Sequence, residues 1–242
     1  MLKKKLNKSI SKKGKGLKKI NFVRHEETLN KKGFSFVCGV DEVGRGPWAG
    51  PITAAAVIIE RNDYKFTKLK KLGIRDSKKL DEERREKFYE ILTSDSGIDF
   101  ALGWASAKEI DRLGMSEANN LIFKRAIKGL KTKPDYVLSD GFIVKKLGLK
   151  KDKVIKGDRK ILTIAAASII AKVSRDRHMK ELAKKYPCYG FDKHKGYGTK
   201  EHQTMIKKYG ICSEHRKSFK PISQIIQNSK IKNQNDNSKI KK

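Results

Sequence analysis

FSFVCGVDEVGRGPWAGPITAAAVIIE, residues 34–60, holds two apolar, β-branched runs, FSFVCGVD (34–41) and ITAAAVIIE (52–60), either side of the Gly/Pro-rich GRGPWAGP (44–51). Such runs bounded by turn formers predict a first and a second strand joined by a structured turn. Upstream, NFVRHEETLNKKG (21–33) reads as a short helix ended by Gly33. Downstream, LDEERREKFYEIL (80–92) predicts a helix with acids in its first turn, where the helix dipole favours them. IDFALGWAS (98–106) predicts a third strand, and AKEIDRLGMSEANNLIFKRAIKGL (107–130) a helix. DYVLSDG (135–141) and KVIKGD (153–158) read as short buried strands, KILTIAAASIIAKVSRDRHMKELAKKY (160–186) as a long helix and TKEHQTMIKKYG (199–210) as a last short one. Three strands in a row followed by strands alternating with helices give an α/β domain with a mixed sheet.

At 242 residues the chain has room for one domain or two small ones with a substantial core. Hydrophobic residues make up 37% and charged residues 35%, which fits a compact core with very polar appendages. The expected organisation is a basic disordered tail at 1–20, a globular part at 21–222 and an Asn/Lys-rich tail at 223–242. An integral membrane protein is excluded: the longest apolar stretch, ILTIAAASIIA from Ile161, is far short of the ~20 residues a span needs. No apolar segment follows the basic start, so no signal peptide is expected. Cys38, Cys188 and Cys212 lack CxxC spacing and read as free thiols, with the cytoplasm as the expected compartment.

The formal net charge is +31, from 58 basic and 27 acidic residues. Residues 1–35 contribute +10 and residues 217–242 contribute +6, so 36–216 is basic in its own right at +15. Such a field attracts polyanions, nucleic acid first among them. A Lys-rich composition, 46 Lys to 12 Arg, accounts for part of it.

Within this basic protein the acids are placed unusually. Asp41 and Glu42 close the first strand, Asp140 the fourth and Asp158 the fifth. If those strands are neighbours, four carboxylates meet at one end of the sheet, where α/β folds build sites. Crowded carboxylates repel and need cations, and all-oxygen ligands suit Mg²⁺ or Mn²⁺. Taken singly, some have an ordinary role open to them: Asp140-Gly141 is a good turn dipeptide, and Asp158 is placed to cap the helix starting near Lys160. Two adjacent acids at Asp41-Glu42 are costly without a partner. GRGPWAG (44–50) is not a phosphate-binding P-loop, and Gly44 and Gly46 would serve close backbone approach to a ligand.

GVDEVGRGPWAGP (39–51), DSKKL (76–80), SDG (139–141), KGDRKILTIAAASIIAKVSRDR (156–177), YGFDKHKGYGTKEH (189–202) and HRKSFKP (215–221) occur in the order seen in ribonuclease HII, the type 2 ribonuclease H, which the chain resembles from about Phe22 to Pro221. The resemblance implies a ribonuclease H-like fold, a five-stranded mixed sheet flanked by helices with a helical C-terminal segment. It implies an endonuclease that cuts the RNA strand of RNA–DNA hybrids and nicks duplex DNA 5′ of an embedded ribonucleotide, leaving a 3′-hydroxyl and a 5′-phosphate. Two divalent cations, Mn²⁺ or Mg²⁺, would be held by Asp41, Glu42, Asp140 and Asp158, the four acids already singled out. The Gly44-Arg45-Gly46 backbone and Tyr197 would read the 2′-hydroxyl at the ribo–deoxy junction. Ser168 and Lys172, four apart and so on one helix face, are expected to aim at backbone phosphates, as is Lys78. A monomer is expected. A sliding clamp is a partner open to this family, although QIIQNSK (224–230) is a weak match to a clamp-binding motif.

Two departures stand out. Gly114 replaces an Asn common in the family as a substrate contact, with Asn119 or Asn120 the neighbouring candidates to stand in, and Trp48 replaces a commoner leucine.

Overall fold

The computed structural model describes residues 24–60, 63–74 and 80–228. The 1–20 tail and Lys78 therefore lie outside the described residues. Five strands, β1 (Val37–Val43), β2 (Ile52–Ile59), β3 (Ile98–Ala105), β4 (Tyr136–Asp140) and β5 (Lys150–Val154), form one sheet in the order β3-β2-β1-β4-β5. β1–β2 and β2–β3 pair antiparallel, and β1–β4 and β4–β5 pair parallel, so the mixed sheet is as expected.

Alternation along the strands sends neighbouring side chains to opposite faces. Ala55, Val57 and Ile59 of β2 join one core with the helix Leu162–Lys185, while Ala54, Ala56 and Ile58 join another with the helix Ala107–Lys128. Both helices press on the sheet through glycine. A Cβ at Gly39 would collide with the backbone of Thr163 and Ile164, and one at Gly103 with the backbone of Ile122. Small residues there bring the helix axes close enough for the flanking apolar side chains to interdigitate.

The helix Leu162–Lys185 has no side-chain cap of its own; Ile161 precedes it. Its exposed N–H groups are met instead from the short helix Arg24–Lys31. Glu26, 3% exposed, accepts from Leu162 N at 3.4 Å, Thr163 N at 3.1 Å and Thr163 Oγ1 at 2.7 Å. Burial nevertheless pushes its carboxyl above the ordinary range. Capping groups contribute about 0.5–2 kcal/mol, so Glu26→Ala should lower the unfolding free energy by about that amount. Denaturant titration reads it, and an unchanged midpoint would remove the cap from the account.

The structure corrects three sequence expectations. The fifth strand lies at Lys150–Val154 rather than 153–158, and it is largely exposed. It is an edge strand whose lysines discourage further pairing, whereas the apolar Val154-Ile155 pair had suggested burial. The helix Ala107–Lys128 is interrupted at Gly114, with φ 75° and ψ 160°, a conformation nearly reserved to glycine. A helix at Asp63–Leu72 was not foreseen at all. Beyond Lys200–Tyr209, residues 220–228 are helical. No helix among the described residues is long and apolar enough to cross a membrane.

Candidate active site

The parallel ladder of β1 and β4 ends with Val40 opposite Ser139, so the next step on each strand carries Asp41 and Asp140. Adjacent positions on paired strands face the same side. Asp41 also sits opposite Ala55, whose side of the sheet is covered by the helix Leu162–Lys185. From that helix Ser168, 6% exposed, hydrogen-bonds the Asp41 carboxyl, which also accepts from Glu42 N at 2.8 Å.

Asp140 accepts from Gly157 N at 2.9 Å, which ties the end of β4 to the turn that carries Asp158. Asp158 does not close a strand, as expected from sequence, but sits 5% exposed in a 3-10 turn, Gly157–Arg159. The first two N–H groups of the helix that follows, those of Leu162 and Thr163, go to Glu26. Asp140-Gly141 does form a turn, with Gly141 at φ 63°.

Burial, then the charges of Glu42 and Asp140, push the Asp41 carboxyl well above the usual range, against the pull of the Ser168 hydroxyl. Arg45 reaches Glu42 at 3.4 Å from a half-exposed position and screens it only weakly. Among the described residues, no three His, Cys, Asp or Glu side chains converge on a single point as they stand. The donor set nonetheless fits a hard cation: all ligand atoms are carboxylate oxygens, on short side chains, in an anionic cluster whose own repulsion a cation would relieve.

Beside the acids, the loop 44–51 is held from behind. Arg216, with none of its surface exposed, donates through Nη2 to Gly44 O at 2.6 Å, Nη1 to Arg45 O at 3.1 Å and Nε to Gly50 O at 3.0 Å. Arg175, equally buried, donates to Pro51 O at 2.9 Å, Ala49 O at 3.4 Å and Lys195 O at 3.1 Å. Carbonyls drawn inward this way fix the loop's conformation. Gly44 has φ 92°, and a Cβ there would strike the Arg175 side chain. The loop also locks to the segment around Gly196, whose carbonyl accepts from Trp48 N at 2.8 Å. Trp48 lies flat on Gly198, so the departure from leucine is absorbed by packing. The result sets Tyr197, 46% exposed, with its ring edge 3.6 Å from where a Cβ on Gly46 would lie.

Tyr197 rests in turn on three buried histidines. His202 Nδ1 donates to Tyr197 O at 2.9 Å, His215 Nε2 donates to His202 Nε2 at 3.1 Å, and His215 Nδ1 accepts from Cys212 N at 2.9 Å. His194 stacks on His202 with ring centroids 4.4 Å apart. The chain of bonds requires all participants neutral, and burial lowers both His202 and His215 to about 4. A histidine whose folded pKa lies below its unfolded value near 6.5 contributes stability that is present above pH 6.5 and lost as pH falls toward 4. The urea midpoint should therefore drop across that window, with a shallower drop in His202→Gln; identical slopes would contradict the neutral relay.

Ser168 hydrogen-bonds the Asp41 carboxyl. Lys172 pairs with Asp176 at 2.8 Å, four residues along the same helix. Asn119 and Asn120, the candidates to stand in for the residue replaced by Gly114, are buried at 0% and 5% exposure. Arg175, Arg216 and the histidines were missed; the one available signal was Arg175 falling seven residues after Ser168, on the same helix stripe.

The family model for ribonuclease HII matches residues 38–222. Ribonuclease HII of Caldicellulosiruptor bescii is 48% identical over 199 residues, covering 82% of this chain and 93% of that protein. Among solved structures, ribonuclease H2 from Pyrococcus horikoshii OT3 superposes with a TM-score of 0.67 at 29% identity, over 80% of this chain and 98% of that one. The ribonuclease HII in the complex with PCNA from Archaeoglobus fulgidus superposes with a TM-score of 0.64 at 28% identity, over 76% and 95%. Fold, strand-end acids and these likenesses agree: the chain belongs to the ribonuclease HII family, metal-dependent endonucleases with ribonuclease H activity on RNA–DNA hybrids.

Proposed function

We propose that the protein hydrolyses the RNA strand of RNA–DNA hybrids and also nicks duplex DNA on the 5′ side of a single embedded ribonucleotide, leaving a 3′-hydroxyl and a 5′-phosphate. The observation that carries this reading is the pairing of two devices at one sheet end: the cluster of Asp41, Glu42 and Asp140 and, next to it, the braced loop Gly44–Gly46 against Tyr197. Asp41, Glu42, Asp140 and Asp158 would hold two divalent cations, Mg²⁺ or Mn²⁺. Bound there, the cations would neutralise the scissile phosphate and supply a nucleophile at neutral pH.

The chain's own residues do the rest. Ser168 orients the Asp41 carboxyl, and the Gly157 amide does the same for Asp140. Gly46 lets the loop backbone approach a sugar closely, and Gly44 holds the loop in a left-handed turn where a Cβ would strike Arg175. Tyr197 offers an exposed ring face to the same sugar, and the 2′-hydroxyl is what separates RNA from DNA at one position. The basic surface supplies phosphate contacts without regard to sequence. A sliding clamp, as in the complex from Archaeoglobus fulgidus, is a candidate partner, and a monomer the proposed state.

The test is a duplex with one ribonucleotide against an all-deoxy duplex of the same sequence, each with Mg²⁺ and with chelator. A single nick 5′ of the ribonucleotide, only with the cation, is the expected result. Cutting of the all-deoxy duplex at a comparable rate would overturn the 2′-hydroxyl reading.

A further inference from the structure

At the opposite end of the sheet from the acids, a pocket of about 400 Å³ opens between the C-terminal end of the helix Ala107–Lys128 and the segment that leads into β5. β4 begins beside it and runs away from it for five residues to Asp140, roughly 13 Å at about 3.3 Å per step. Its wall includes the apolar side chains of Leu130 and Leu147, and Lys124, Lys128, Lys131 and Lys133 surround it.

Those four lysines concentrate positive charge around the pocket. None takes part in an ion pair among the described residues. Two carboxylates beside the segment hydrogen-bond backbone amides, and among the described residues neither forms an ion pair with these lysines. Asp99 accepts from Thr132 N at 2.7 Å, and Asp135 accepts from Ser35 N at 2.7 Å and from Phe36 N. The neighbouring Arg125, by contrast, is neutralised by Glu109 at 2.8 Å. Segment 124–133 thus holds five basic residues and no acid, around a partly apolar hollow.

We infer that this pocket docks a partner protein through an acidic peptide segment bearing a large apolar side chain. The apolar side chain enters the hollow and the flanking carboxylates meet the lysine rim. A nucleic-acid backbone would satisfy the lysines but leave the hollow unused, and a neutral apolar peptide would leave four cations unanswered. Recognition of this kind combines an apolar anchor with charge complementarity that steers encounter. The site is separate from the proposed cleavage machinery, so a partner bound there leaves the acids, the loop and Tyr197 free for substrate.

The experiment follows anisotropy of a fluorescein-labelled peptide, EDEFLDE, titrated with the full chain, alongside EDEGGDE of equal charge. EDEFLDE is expected to bind at least about tenfold more tightly than EDEGGDE, and the exposed double variant Lys128→Glu/Lys131→Glu to lose at least about tenfold of that affinity. The variant's nicking rate at a single ribonucleotide should match wild type, which shows that it is folded. Equal binding of the two peptides would mean general attraction to a protein of charge +31 and would overturn the proposal. Unchanged peptide affinity in the double variant would overturn it as well.

Discussion

Asp41→Asn is expected to lower the proposed nicking rate at a single ribonucleotide by about 10³-fold or more, the equivalent of roughly 4 kcal/mol of transition-state stabilisation. Duplex affinity changes much less, because the basic surface supplies it. The same variant, free of metal, should unfold at a higher denaturant concentration than wild type. Asp41 is buried against Glu42 and Asp140, which disfavour its charged form, and an amide of the same shape removes that repulsion while its oxygen can still accept from Glu42 N. Lost activity with gained stability separates a functional carboxylate from a structural one. Activity within a few-fold of wild type would remove Asp41 from the mechanism.

Arg216→Ala strips three carbonyls, those of Gly44, Arg45 and Gly50, of their donors. Each buried acceptor left unsatisfied costs about 1–3 kcal/mol, so the unfolding free energy should fall by about 3 kcal/mol or more. Arg216→Lys keeps the charge but offers no fork for three acceptors, and should recover only part of the loss. Among molecules that remain folded, selectivity for a single ribonucleotide over an all-deoxy duplex should fall in both variants. A stability loss under about 1 kcal/mol in Arg216→Ala would show that the loop holds its shape without the arginine.

Local chemistry explains which features could be read from sequence. The β1–β2 hairpin and the helix Leu162–Lys185 were legible because their apolar runs and punctuating glycines act within a few residues. β5 was displaced because an exposed edge strand made of lysines carries no apolar signal. The placement of Asp41 and Asp140 was legible because carboxylates at strand ends in a basic protein are conspicuous, whereas Asp158 sits in a 3-10 turn beyond its strand. Their supports were not, since these act at long range: Arg216 reaches Gly44 across 172 positions, and Glu26 reaches Thr163 across 137. Lys172 shows the converse limit: helical spacing placed it on the Ser168 stripe but could not reveal its pairing with Asp176.

The account rests on the strand-end acids forming a divalent-cation site, and calorimetric titration of Mn²⁺ into the metal-free protein tests that most directly. Saturable binding in wild type, lost in both Asp41→Asn and Asp140→Asn, is the predicted result; Mn²⁺ affinity unchanged in both variants would contradict it.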